Sequence, residues 1–81
     1  IQSFVFPNPF SSATDLWVRG IDFAVQKTQL KIFDLLGHEV HSQTVNAERE
    51  SLHLKLQSGI YFYTIRSGKS ESSGKIVVVP K

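Results

Sequence analysis

Thr28–Val45 reads TQLKIFDLLGHEVHSQTV and predicts two β-strands joined by a tight turn. In the first half, Leu30 and Ile32 alternate with residues that we expect on the opposite face of the strand. Asp34 suits the first position of a type I turn, and Gly37 suits the last, where a positive φ carries no steric cost. Alternation with a period of two, closed by turn residues, indicates a β-hairpin.

The chain has 81 residues, which predicts one small domain over residues 1–81 with a core of moderate size. It contains no Cys, and its net charge of +2 comes from scattered Lys and Arg. Scattered charge is typical of a solvated surface, so we expect no nucleic-acid partner. The chain begins at Ile1 rather than Met, so we expect it to be cut from a longer protein. The sequence shows neither a signal peptide nor a transmembrane segment.

Alternating or β-branched segments recur along the whole sequence, separated by turn residues. Such spacing favours an all-β fold, a seven-stranded antiparallel β-sandwich of the immunoglobulin or fibronectin III type. A small closed barrel is the alternative. The predicted strands are Ser3–Phe6, Thr14–Ile21, Thr28–Leu35, Glu39–Val45, Glu50–Lys55, Ile60–Arg66 and Glu71–Val79.

The same alternation predicts the core. Its members are Leu16, Val18, Leu30, Ile32, Val40, Leu54, Leu56, Tyr61, Tyr63 and Ile65. Phe23 and Val25 are the expected buried anchors of the loop 20–27. Tyr61 follows a Leu and a Gly at the start of a late strand, which predicts a tyrosine corner with a hydrogen bond to the backbone near Gln57.

Three aromatic side chains, Trp17, Phe33 and Phe62, are expected to point away from the core. Neighbouring exposed aromatics would suggest a docking surface. The competing interpretation is that a loop covers them or that one strand presents its other face.

No segment carries a convincing catalytic pattern. Gly68-Lys69-Ser70 resembles the end of a phosphate-binding loop, but Tyr63 stands where that loop needs a Gly, so we expect a hairpin turn. His38 and His41 should point to opposite faces of a strand, and His53 should face away from the apolar side. No carboxylate has apolar neighbours that would raise its pKa for acid–base work. We therefore expect neither an enzyme nor a metal or cofactor site.

Four segments together resemble the type A C-terminal sorting domain of the type IX (Por) secretion system of Gram-negative bacteria. The sequence departs from that family at His38, where an Arg or Lys is usual, and at Gly20, which no Pro follows. The segments are Phe6-Pro7-Asn8-Pro9-Phe10, the hairpin 30–40, Gly59-Ile60-Tyr61-Phe62-Tyr63 and Gly74-Lys75-Ile76-Val77-Val78.

The resemblance implies a sorting signal that directs an N-terminally attached cargo protein across the outer membrane. It implies folding in the periplasm, recognition by an outer-membrane translocon, and removal by a sortase-like surface protease with attachment of the cargo to the cell surface. The motif residues carried over as the signal are Pro7, Asn8, Pro9, Asp34, Gly37, Gly59, Tyr61, Gly74, Lys75 and Lys81. The alternative is a fibronectin-like or carbohydrate-binding accessory module of a secreted enzyme, for which Trp17, Phe33 and Phe62 are the candidate platform.

The final strand is expected to lie at or near a sheet edge with its end exposed. Lys75, Pro80 and Lys81 fit the residues that proteins use to protect such edges. They also fit a site where a receptor docks, through strand addition or through the lysines.

Overall fold

The computed structural model describes residues 1–80, and these residues form seven β-strands with no helix. The all-β prediction is confirmed, and most strand ends lie within a few residues of the predicted ones. The strands are β1 (Gln2–Phe6), β2 (Ala13–Arg19), β3 (Thr28–Phe33), β4 (Glu39–Val45), β5 (Arg49–His53), β6 (Gly59–Ser67) and β7 (Ser70–Val78).

The strands pair into two antiparallel sheets. One has three strands in the order β1-β2-β5, and the other has four in the order β4-β3-β6-β7. The first and last strands both lie at sheet edges, and for the last strand this position was predicted. Outside the named strands, Phe10 forms a parallel bridge with Val78 and so links the chain between β1 and β2 to the last strand.

The core lies between the two sheets and takes side chains from both. Most of the predicted core is buried, and Leu56 is partly buried against it. Alternation in the sequence did not predict the burial of Val5, Phe10, Val45, Leu52, Ile76 and Val78. The buried hydrophobic residues are Val5, Phe10, Leu16, Val18, Leu30, Ile32, Val45, Leu52, Leu54, Tyr61, Tyr63, Ile65, Ile76 and Val78.

The prediction that Val40 belongs to the core is wrong, since its side chain is 38% exposed. Phe33 pairs with Glu39 whereas Ile32 pairs with His41, so Val40 is the extra residue of a β-bulge. A bulge leaves one residue unpaired and changes which face the following side chains occupy. The strand also lies at the edge of its sheet, where the core covers it least.

Val25 is not a buried anchor either, because its side chain is 79% exposed. The amides of Val25 and Gln26 both donate to the carbonyl of Asp22, and the amide of Ala24 donates to Asp22 Oδ1. This tight turn directs Val25 into solvent. Phe23, the other predicted anchor, is partly buried against the core.

The predicted fifth strand extends too far, because β5 ends at His53. Beyond it, the amide of Leu54 donates to the carbonyl of Ser12 at 2.8 Å. The side chain of Leu54 therefore stays in the core although its backbone has left the β2–β5 ladder. Ser67 pairs with Ser70, so the segment that resembles a phosphate loop is a hairpin turn, as predicted.

Candidate recognition surface

The segments that carry the family resemblance meet at one end of the four-stranded sheet. Phe33, the residue before the Asp34 turn, pairs with Phe62 on the adjacent strand, and Phe62 pairs with Lys75 on the strand beyond. The backbone carbonyl of Lys75 accepts a hydrogen bond from Asn8 Nδ2. Adjacent strands lie about 4.8 Å apart, so four segments distant in sequence are near neighbours here.

Pro7–Phe10, which we call the edge clasp, covers the outer edge of the second half of β7. Asn8 Nδ2 donates to the carbonyl of Lys75 at 2.9 Å, and Asn8 Oδ1 accepts from the amide of Val77 at 2.9 Å. The amide of Phe10 donates to the carbonyl of Val77 at 3.1 Å, and the carbonyl of Phe10 accepts from the amide of Val79 at 2.8 Å. The side chain of Asn8 thus substitutes for part of a neighbouring strand.

Because of the edge clasp, the final strand does not present a free row of backbone donors and acceptors along its outer edge. The strand does lie at the edge of its sheet, but hydrogen bonds from the clasp occupy its outward backbone groups between Lys75 and Val79. The carbonyl of Pro7 in turn accepts from Thr14 Oγ1 at 2.6 Å, which fixes the clasp to β2. Lys81, the other lysine of the predicted signal, lies outside the described residues.

The Asp34–Gly37 turn is held by the carboxylate of Asp34. Asp34 Oδ1 accepts from the amides of Leu36 and His38, both at 2.9 Å, and the amide of Gly37 donates to the carbonyl of Asp34 at 3.1 Å. Gly37 has a φ of +86°, in the left-handed region that side chains other than glycine rarely adopt. The two residues that the sequence singled out are therefore the two that the turn needs.

The same hydrogen bonds set the charge state of this carboxylate. The amide of His38, more than any other group, holds the pKa of Asp34 below its ordinary range, and partial desolvation opposes it. The amide of Leu36 and the nearby His38 ring, whose Nδ1 is 3.6 Å from Asp34 Oδ2, act in the same direction as the His38 amide. Asp34 is therefore ionised at neutral pH and keeps its acceptor role.

Tyr61 forms the predicted corner, and its hydroxyl donates to the carbonyl of Gln57 at 2.7 Å. The ring is buried at the start of β6. Gly59, two residues earlier, has room for a side chain, because an added Cβ would meet only Tyr61 Cε1 at 3.9 Å. Its φ of +158° is a backbone conformation that other residues rarely adopt, so the backbone, and not the packing, accounts for glycine at this position.

Gly74 lies beneath the ring of Tyr63, its partner in the β6–β7 ladder. A Cβ on Gly74 would lie 2.6 Å from Tyr63 Cε2 and from the Tyr63 hydroxyl. The ring is buried, and its hydroxyl is 3.3 Å from Ser3 Oγ on β1, within hydrogen-bond distance. Gly74 thus leaves space for an aromatic side chain that joins the two sheets.

A family model described as the secretion system C-terminal sorting domain matches residues 4–79. This chain belongs to that family. The sequence resemblance to type IX sorting domains is confirmed, and the departures at Gly20 and His38 do not prevent the match. Membership implies interaction with the type IX secretion machinery and passage to the outer membrane and beyond it. A comparison with curated proteins gives no match.

Several side chains of the sorting domain remain exposed around the motif residues. Ile60 and Phe62 are 42% and 46% exposed on the outer face of β6. Leu35 and Leu36 project from the hairpin turn, with most of each side chain in solvent. The outward orientation of Phe62 was predicted, whereas Ile60 was missed, although it lies two residues before Phe62 and so on the same face of the strand.

The aromatic residues of the sorting domain do not form one platform. Trp17 lies on the three-stranded sheet, whereas Phe33 and Phe62 lie on the other. Phe4 stacks on Trp17 with ring centroids 5.8 Å apart, and Arg49 Cζ lies 4.8 Å from the Trp17 ring centroid. These neighbours come from the strands on either side of Trp17, so its ring already packs against side chains of its own sheet.

The remaining predicted features of the sorting domain have ordinary surroundings. His38 and His53 are exposed, and His41 Nε2 is 2.7 Å from Gln43 Oε1. Among residues 1–80, His, Asp and Glu form no group of three arranged to hold a metal ion. The described part of the chain also contains no helix that is long and apolar enough to cross a membrane.

Proposed function

We propose that residues 1–81 form one C-terminal sorting domain, covalently continuous with an N-terminal cargo protein that it directs across the outer membrane through the type IX secretion system. The observation that carries this proposal is the family match over residues 4–79, which spans nearly the whole sequence. The convergence of the motif segments at one end of the four-stranded sheet supports it, because a folded signal presents its parts together.

We further propose the route that the cargo follows. The domain folds in the periplasm, the outer-membrane translocon recognises it, and a sortase-like surface protease then removes it, leaving the cargo outside the cell or attached to the surface. The domain acts as an address and has no catalytic activity of its own.

We propose that the fold is an immunoglobulin- or fibronectin III-like sandwich rather than a closed barrel. Two observations support this. The strand order places the first, second and fifth strands in one sheet and the others in the second, as in sandwiches in which the fourth strand pairs with the third. The Tyr61 hydroxyl bonds to the Gln57 carbonyl as in a tyrosine corner. A crystal structure in which the edge strands of the two sheets pair with each other and close both sheets into one barrel would contradict the proposal.

The functional proposal is tested by fusing residues 1–81 to a periplasmic reporter in a host that has the secretion system. We expect the reporter in the medium or on the cell surface, and in the periplasm when the domain is absent or the translocon is deleted. Periplasmic retention of the complete fusion in the wild-type host would contradict the proposed function.

A further inference from the structure

We propose that the secretion machinery recognises this domain through an apolar patch on the outer face of the four-stranded sheet. The patch consists of Phe33, Ile60, Phe62 and Val77, with Lys75 at its border, and we call it the outer-face patch. The partner is a protein surface that places apolar side chains beside a carboxylate. This inference rests on the proposed function and assigns a partner surface to it.

The ladders make the outer-face patch contiguous. Phe33 is opposite Phe62, Phe62 is opposite Lys75, and Ile60 is opposite Val77. Side chains of opposite residues lie within contact distance on one face of a sheet. Alternation with buried neighbours, among them Tyr61, directs this set away from the core. Phe62 and Ile60 expose nearly half of their side chains, so the patch is open to a partner.

The charges around the patch indicate the chemistry of that partner. Elsewhere on the same face, Lys31 pairs with Glu39 at 3.5 Å and Arg66 pairs with Glu71 at 2.7 Å. Lys75 makes no ion pair with any other residue of the described range 1–80. A carboxylate on the partner would complement this lysine, and apolar side chains would cover the aromatic rings.

Backbone recognition of the last strand is disfavoured by the edge clasp. A strand added beside Lys75–Val79 would first have to displace the bonds from Asn8 and Phe10. Other motif groups are also engaged within the domain, the carboxylate of Asp34 with its turn and the hydroxyl of Tyr61 with Gln57. The side chains of the outer-face patch have no such internal partners.

The opposite face of the molecule supplies a matched control. Phe6 is 68% exposed on the three-stranded sheet, more than Phe62, and lies on an edge strand. If exposed aromatic area alone mattered, Phe6 would be the more important residue. The control for Lys75 is Lys69, a second exposed lysine that lies away from the patch, in the turn that joins β6 to β7.

The test compares Phe62→Thr and Lys75→Glu with Phe6→Thr and Lys69→Glu in the secreted reporter fusion. Threonine keeps β-propensity while removing the ring, and both charge reversals change the net charge equally. Loss of an interface anchor commonly costs tenfold or more in affinity, so we expect the secreted fraction to fall about tenfold for the two patch variants. The two controls should be secreted like the wild type.

Each other outcome has a definite meaning. If both patch variants are secreted at the wild-type level, or if the controls lose as much of their secreted fraction, the outer-face patch is not the recognition surface. Light scattering that shows a wild-type dimer and a Phe62→Thr monomer would assign the patch to a second copy, and flotation with phosphatidylethanolamine–phosphatidylglycerol vesicles would assign it to lipid. Either result overturns a protein partner in the machinery. If the wild-type fusion itself is retained, the proposed function fails first.

Melting temperatures of the purified domains separate folding from recognition. Lys75 is exposed and only its backbone bonds to the clasp, so Lys75→Glu should melt like the wild type. If Phe62→Thr is less stable than Phe6→Thr, its secretion no longer separates folding from recognition, and the test rests on Lys75→Glu. Secretion of Lys75→Glu at the wild-type level then overturns the proposal.

Discussion

Gly74 shows how a residue of the sequence motif can serve the fold. The Tyr63 ring occupies the space that a side chain on Gly74 would need, and the ring is fixed by burial and by its contact with Ser3. The Tyr63 ring could move away from Gly74 only by leaving its buried position between the two sheets. The requirement for glycine here is one of close approach between backbone and ring.

Gly74→Ala should therefore destabilise the domain by about 1–3 kcal/mol, the usual cost of overpacking a core. The adjacent Ser73→Ala is the control, because Ser73 is exposed and on the outer face of β7. Urea denaturation of both variants measures the difference. Equal midpoints for Gly74→Ala and the wild type would show that the ring can move aside.

Tyr61→Phe should cost roughly 0.5–1.5 kcal/mol of unfolding free energy, since it removes one hydrogen bond and little packing. The bond in question joins the Tyr61 hydroxyl and the Gln57 carbonyl at 2.7 Å. Chemical denaturation checks the value, and a Tyr61→Phe domain as stable as the wild type would show that water replaces the hydroxyl without loss.

Asp34 should make the hairpin turn sensitive to acid. Its pKa is lowered in the folded chain, foremost by the amide of His38, so its stabilising effect is present above the pKa of the unfolded state and is lost as the pH falls through the folded pKa. NMR titration should show the amide shifts of Leu36 and His38 changing together, with a midpoint below the ordinary Asp value. A midpoint above that value would contradict the turn geometry, and Asp34→Asn should abolish the transition.

Among the structural elements, the edge clasp is the least expected from the sequence. The run Pro7-Asn8-Pro9 predicts the end of a strand, and β1 does end at Phe6. Nothing in the local pattern shows that Asn8 would bond to the last strand, 67 residues further along the chain. Contacts of this kind depend on how the two sheets meet, which alternation within a segment does not encode.

Asn8→Ala should loosen the last strand without unfolding the domain. It removes two exposed hydrogen bonds, each worth about 0.5–1.5 kcal/mol at most, and leaves the bonds of Phe10 in place. Hydrogen exchange should become faster at the Val77 amide, which donates to Asn8, and change less at the Val79 amide, which donates to Phe10. Unchanged exchange at Val77 would contradict the clasp.

For the whole molecule, the sequence predicts the strands and most of the core because period-two burial is a local signal. It fails where a non-local feature intervenes, as at Val40, where a bulge at a sheet edge exposes the side chain. The turn roles of Asp34 and Gly37 and the corner hydrogen bond of Tyr61 were predicted, because turn and corner chemistry is local. Their convergence with Asn8 and with the outer-face patch could be seen only once the strand order was known.

The proposed signal is a folded surface, and Leu30→Ala tests this most directly. The substitution leaves every motif residue unchanged but removes a fully buried side chain, at a cost of about 2–5 kcal/mol that a domain of this size can barely withstand. The measurement is the secreted fraction of the reporter fused to residues 1–81, with immunoblots to follow intact protein. We expect wild-type fusions outside the cell and intact Leu30→Ala fusions in the periplasm. Secretion of an unfolded Leu30→Ala fusion at the wild-type level would show that a linear motif suffices and would contradict recognition of a folded surface.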